Sequence, residues 1–329
     1  MSYDSKILRR ATVRFEADRR KRQEEFARRQ AAVYGKVPRQ EEIDRELRAT
    51  MSRIISSALR RGADPRPAVA ALRQENLDLQ RERTALLAGQ GLPADYLEER
   101  PACPLCSDAG YRGEAVCSCL KAYYAKEQQL QLSQLLDLTG QSFGAFSLDW
   151  YDEAEDPVYG ISPRENMRVV LDVCTRYARE FSPQSGSLLL YGAPGLGKTF
   201  LSAAIAGQVA QRGYSVVYDT AGHIFSRFED KKFGREEAAA GEDVERVNTC
   251  DLLILDDLGT EMNTAFVQSA LYEIVNTRLL THRATILNTN FSPDELARRY
   301  SGQVASRIQG EYQVLPFFGK DIRLLKKGR

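Results

Sequence analysis

The sequence predicts an α/β fold, a parallel sheet flanked by helices, preceded by a helical region and a small module built around four cysteines. Three observations predict it. From residue 187 onward, short apolar runs of strand length alternate with helix-length segments, the pattern of a sheet buried on both faces. Residues 188–200, LLLYGAPGLGKTF, join one such run to a helical pattern through a glycine-rich turn. Upstream, residues 3–87 are rich in Arg, Glu, Gln, Ala and Leu, and Cys103, Cys106, Cys117 and Cys119 crowd together behind them.

A chain of 329 residues suffices for two domains, one with a large core. No apolar run approaches the roughly 18 residues that cross a membrane, and the opening MSYDSKILRRATVRF has no hydrophobic signal core. A cytoplasmic protein with no membrane partner is expected. The net charge of +1 hides an asymmetry: residues 1–100 hold 22 Lys/Arg against 16 Asp/Glu, leaving 24 against 29 for the rest. A basic front half can meet nucleic acid or an acidic partner, or be a solvated helical face.

Breaks at GKVP (35–38) and RGADPRP (61–67) divide the front region into three helices. In the second, Ile43, Leu47, Met51, Ile54, Ile55 and Ala58 keep helical spacing; in the third, Val69, Leu72, Leu79 and Leu86 do so, interrupted by Asn76 and Arg83. Such stripes pack on one another or dock a partner's helix.

The four cysteines follow as C-x2-C-x10-C-x-C. Thiols this crowded in a cytosolic chain read as a metal site rather than disulfides. Four thiolates suit a closed tetrahedral Zn²⁺ site. An iron–sulfur cluster or unligated thiols are the alternatives, and neither histidine, His223 or His282, lies near. Cys174 and Cys250 are isolated and read as small buried hydrophobes.

Gly192 to Thr199 satisfy G-x-x-x-x-G-K-[ST], the phosphate-binding loop. Its glycines let backbone N–H groups turn inward around phosphate oxygens, Lys198 adds a point charge, and the Thr199 hydroxyl can hold Mg²⁺. The flanks agree, with SLLLY a strand before it and Leu201, Ile205 and Val209 on one helical face after it. Strands are further expected at SVVYDT (215–220), CDLLILDDLG (250–259), RATILNTN (283–290) and QVLPFF (313–318). Asp256 is placed to hold Mg²⁺ through its water shell, Asp257 to polarise an attacking water, and Asn290 to position that water or touch the γ-phosphate. Strand ends on one edge of an open α/β sheet meet at one site.

These residues together carry a resemblance. The segments YGAPGLGKTFLSAAIA, LLILDDLGTE, FVQSALYEIVNTRL, ILNTN and SRI, with CPLCSDAGY…CSCLK, SFGAFSLDWY and SPRENM, make the chain similar, over residues 91–329, to the DnaC/DnaI-type bacterial helicase loaders. Those are a branch of the AAA+ ATPases related to the replication initiator DnaA. The resemblance implies that Gly192, Ala193, Pro194, Gly195, Leu196, Gly197, Lys198, Thr199 and Phe200 bind ATP, with Thr199 and Asp256 on Mg²⁺. It makes Asp257 the catalytic acid, Asn290 the first sensor and Arg307 the arginine finger inserted into a neighbouring subunit. An exposed helical Arg is the plainer reading of Arg307. Many AAA+ proteins carry Glu where this chain has Asp257, so Glu261 in the same loop stays a second candidate base. No helical lid is expected after QVLPFF.

The implied function is ATP-dependent loading of a DnaB-type replicative helicase onto single-stranded DNA, with ATP as an assembly switch and self-association across ATP sites. Residues 1–90 are the helicase-binding candidate, 91–126 the zinc module, 127–160 a linker and edge, and 161–329 the AAA+ core. Arg227, Lys231, Lys232 and Phe233, in a segment long enough for two helices, suit single-stranded DNA or a solvated face. An IstB-type transposition helper binding DNA and a transposase is the alternative reading; a small-molecule kinase is a third.

Overall fold

The structure, a computed structural model, describes residues 3–58, 66–138, 140–234 and 237–327. It forms two compact units, Arg14–Cys117 on the one hand and Met1–Val13 with Ser118–Arg329 on the other. Each follows from its own sequence pattern.

The smaller unit is built from the part of α1 (Ser5–Lys36) beyond Val13, α2 (Pro38–Ala58) and α3 (Arg66–Gly89). The GKVP break ends α1, and Pro38 opens α2, where its missing N–H is not needed. The second break falls mostly on residues 59–65, outside the described residues, as do the side chains of Met51, Ile54, Ile55 and Ala58. Ile43 and Leu79 are buried as their stripes require, and Val33, Leu87 and Leu97 form a small cluster. Arg83, which interrupts the third stripe, is satisfied within the unit. Its Nε donates to Asp44 Oδ1 at 2.7 Å and its Nη2 to the carbonyl of Leu97 at 3.0 Å. The interruption therefore locks α3 to α2 rather than leaving a polar gap for a partner.

The larger unit is a five-stranded parallel sheet: β3 (Ser187–Gly192), β4 (Val216–Thr220), β5 (Leu252–Leu258), β6 (Ala284–Thr289) and β7 (Tyr312–Phe317), in the order β4-β5-β6-β3-β7. The labels β1 (Tyr111–Arg112) and β2 (Ala115–Val116) belong to a short antiparallel hairpin among the cysteines. All five expected core strands are present. The unbroken apolar runs of β3 and β5 follow from burial on both faces. Leu188, Leu190, Leu252 and Ile254 join one core with helices α5 (Pro163–Glu180) and α6 (Lys198–Gln211). Alternate residues Leu189, Leu253 and Leu255 join a second core with α7 (Ala221–Lys232), α8 (Glu237–Thr249), α9 (Ala265–Leu280), Leu296 of α10 (Pro293–Arg299) and α11 (Gly302–Glu311), the last packed on α9. A short α12 (Ile322–Lys327) follows β7.

The compact units cut the chain elsewhere than at 90, 126 and 160. Helix α4 (Ser118–Leu132) belongs to the sheet unit, because Leu120, Tyr124 and Leu132 are buried there. Its Gln128 side chain donates to the Val216 carbonyl at 3.0 Å and accepts from the Val216 N–H at 3.4 Å, so it covers the edge strand β4. Residues 3–13 dock here too: the Asp4 N–H donates to Tyr124 Oη at 3.1 Å, Asp4 pairs with Arg246, and Ile7 and Ala11 are buried. Among the described residues no helix is long and apolar enough to cross a membrane.

Candidate nucleotide site

The turn after β3 is closed by geometry that only glycine tolerates. Gly192 has φ +140, and a Cβ there would lie 1.9 Å from the carbonyl oxygen of Phe317 on β7. Gly197 has φ +93 and opens α6, whose first residue is Lys198. Lys198 is only 7% exposed. Its Nζ donates to the carbonyls of Gly192 (2.6 Å) and Ala193 (2.8 Å) and to Asn290 Oδ1 (2.9 Å). Burial pushes its ammonium down to about 8, against the pull of Asp256 and Asp257. An anionic ligand that replaced those neutral acceptors would recover the lost solvation.

Asp256 and Asp257 are neighbours in sequence but not in environment. Asp256 continues the β5 ladder opposite Thr220 and is 5% exposed. Its carboxylate accepts from Tyr218 Oη, from Asn288 Nδ2 at 2.9 Å, from the Asp257 N–H at 3.0 Å and from Thr199 Oγ1 at 3.3 Å. Just beyond it the register between β5 and β6 shifts between Leu255 and Leu258, and Asp257 takes φ +53. A bulge with a left-handed residue re-aims a side chain that would otherwise alternate with its neighbour. Asp257 thereby lines the cleft over the loop. Burial first, and then Asp256, raise its carboxyl above the usual range, opposed by Lys198 and Arg323.

The cleft measures about 480 Å³ and gathers Pro194 to Phe200, Asp257, Thr260 and Asn290. Lys198, Thr199, Asp256, Asp257 and Asn290 are thus brought together as the sequence arranged them. Glu261 is not. Its Oε2 accepts from the Gly259 N–H at 2.9 Å, its Oε1 from Tyr300 Oη, and its backbone carbonyl from Arg299. Those bonds hold the loop after β5 and keep Glu261 off the cleft lining. Arg307 lies on α11, half-buried, with its guanidinium carbon 5.8 Å from the ring centre of Tyr272, and is likewise not among the cleft residues.

Three groups at the site escaped the sequence reading. Ser202, Tyr218 and Asn288 form a buried polar set under Asp256, with Asn288 Nδ2 donating to Ser202 Oγ at 2.8 Å. The available signal was a polar residue inside an apolar helix, Ser202 of α6, and inside two apolar strands, Tyr218 of β4 and Asn288 of β6. Arg323 and Lys326 of α12 line the cleft, and the N–H of Ile322 donates to the Gly195 carbonyl at 3.1 Å. The basic run after the last strand was their signal. Phe146, Trp150 and Tyr151, from SFGAFSLDWY, supply an aromatic wall, with Tyr151 Oη donating to the Leu196 carbonyl at 2.8 Å.

Elsewhere, the four cysteine sulfurs lie within 4.8 Å of one another, and Cys103 and Cys117 are 3.8 Å apart. Sulfurs on a tetrahedral shell of 2.3 Å radius stand on the order of 3.8 Å apart, so the donor set fits one zinc. Asp108 braces the first turn by accepting from the N–H groups of Ala102 (3.0 Å) and Cys103 (2.8 Å). In the α7–α8 segment, Arg227 pairs with Asp243 at 2.8 Å and lies 3.6 Å from Asp219, so carboxylates already engage it. Phe233 stays 61% exposed.

This geometry defines a class, a phosphate-binding loop on a parallel sheet, and the family match agrees with it. Residues 161–305 match the family described as IstB-like ATP binding protein. The chain is also similar to the replicative helicase loaders DnaC of Escherichia coli (strain K12), 29% identical over 154 residues, and DnaI of Bacillus subtilis (strain 168), 36% identical over 121. These alignments cover 44% and 35% of this chain. The chain spans 62% of that DnaC and 36% of that DnaI. A crystal structure of the DnaC helicase loader superposes with a TM-score of 0.45 at 20% identity, over 55% of this chain and 99% of the other.

Proposed function

We propose that the chain is an ATP-dependent loader that places a DnaB-type replicative helicase on single-stranded DNA. The observation that carries the reading is the convergence of Lys198, Thr199, Asp257 and Asn290 on one cleft, in a chain similar to proteins named replicative helicase loaders. Lys198 exchanges its carbonyl partners for phosphate oxygens. Asp257, with its raised carboxyl, accepts the proton of the attacking water, and Asn290 orients that water. Thr199 and Asp256 would hold Mg²⁺, whose chemistry is to neutralise charge on the phosphates. Arg307, off its own cleft, completes the site of a neighbouring copy, so that hydrolysis waits on assembly. Phe233 and the lysines beside it offer stacking and charge to the DNA strand. The experiment that tests the reading is transfer of helicase to a closed circle of single-stranded DNA, with and without this chain and ATP.

The IstB-type reading, a transposition helper that binds DNA and a transposase, is favoured by the description of the matching family. In that case a transposase rather than a helicase would be the partner recovered.

Cys103, Cys106, Cys117 and Cys119 would hold one structural Zn²⁺. The purified protein is expected to carry about one zinc per chain by elemental analysis. Changing any of the four to Ser should release it and loosen the module, because binding contributes about 10 kcal/mol or more of folding energy. No metal, or iron with visible absorbance, would contradict the zinc assignment.

A further inference from the structure

The stretch QSFGAFSLDWY (141–151) walls the cleft but has no part in the chemistry above. Its rings are ordered against the loop. Phe146 meets Phe200 edge-on at 5.4 Å and stacks beside Tyr151 at 5.9 Å, and a Cβ on Gly197 would fall 3.2 Å from Phe146. Lys326 Nζ lies 5.4 Å from the ring centre of Trp150. A wall of this kind accepts a flat heteroaromatic ring by stacking.

One side chain on the wall is unfinished. Gln141 lines the cleft, and its Oε1 is buried with no hydrogen-bond partner among the described residues. A buried amide oxygen without a donor is costly, and its persistence beside a cleft points to a donor that arrives with a ligand. The backbone that carries it is fixed: the Gln141 N–H donates to the Asp137 carbonyl at 2.8 Å and the Gly140 N–H to Asp137 Oδ1 at 2.9 Å. The side chain on that backbone lines the cleft.

We propose that Gln141 is the residue that selects adenine over guanine. Its carbonyl oxygen accepts from the exocyclic 6-amino group, and its amide N–H donates to N7 on the same edge of the base. A glutamine amide matches that donor–acceptor pair in two bonds. Guanine presents a carbonyl oxygen and a ring nitrogen there, two acceptors, of which the amide can satisfy only one. The proposal rests on the reading that this cleft holds a nucleoside triphosphate.

The test is equilibrium binding to the full chain, with Mg²⁺, of ATP, GTP and purine riboside triphosphate, which is ATP without the 6-amino group. The unaltered protein is expected to prefer ATP to both others by about 5- to 150-fold, the worth of one bidentate amide–adenine pair. Gln141→Leu should bind the three within about threefold of one another. A preference that survives in Gln141→Leu overturns the proposal. So does equal binding of ATP and purine riboside triphosphate by the unaltered chain, a comparison that needs no variant to fold. Binding of none of the three removes the nucleotide reading itself, whereas loss of selectivity alone leaves that reading standing.

Discussion

Lys198→Ala is expected to abolish ATP binding and turnover while the sheet stays folded. The side chain is buried, its three donors are all engaged at the turn, and burial lowers its ammonium to about 8. Among the described residues no other cation bonds to both loop carbonyls and to the tip of β6. Alanine leaves the backbone cradle and removes the charge that phosphate oxygens would meet. The loss in turnover should be at least about 10²- to 10³-fold, the scale seen when one preorganised donor is deleted from a dry site. The hydrophobic contacts of β3 and α6 are untouched, so thermal unfolding should remain a single transition near the original midpoint. A folded variant that hydrolyses ATP at the normal rate would remove the cleft from the mechanism.

Arg307→Ala is expected to bind ATP normally and hydrolyse it about 10³ to 10⁵ times more slowly, the contribution of arginine fingers elsewhere. The separation of effects follows from placement. Arg307 lies on α11 against Tyr272 and does not line its own cleft, so the residues that would bind nucleotide are unaltered by its loss. The sharper form mixes Arg307→Ala with Asp257→Ala chains. One supplies an intact acid, the other an intact arginine, so hybrid interfaces should recover activity that neither variant has alone. Activity should also rise steeply with protein concentration. Normal hydrolysis by Arg307→Ala, or no recovery from chains shown to co-assemble, would make Arg307 a surface residue.

The inner strands of the parallel core were legible because they are buried on both faces, which writes their length into an unbroken apolar run such as LLIL before Asp256. The phosphate loop was legible because its glycines meet hard steric limits. What the linear pattern hid were features set by the third dimension. The apolar contacts of α4 are interleaved with buried Glu127 and Gln128, so the linear pattern divided it between the zinc module and the segment 127–160, and its packing emerged only where Gln128 meets the edge strand. The docking of residues 3–13 depends on Asp4 reaching Arg246, 242 positions away, which no local periodicity encodes. Glu261 stood in the right loop for a base. Only the Gly259 and Tyr300 bonds reveal it as a brace. Arg323 and Lys326 needed the fold to bring the residues after β7 back over Gly195.

The most direct measurement of the central claim is retention of a replicative helicase on closed circular single-stranded DNA, which has no end to thread. The account predicts that helicase from the same organism is retained when this chain and ATP are both present, and lost when Lys198→Ala replaces the chain. Equal retention without the chain, equal retention with Lys198→Ala, or capture of a transposase with no effect on the helicase would contradict it.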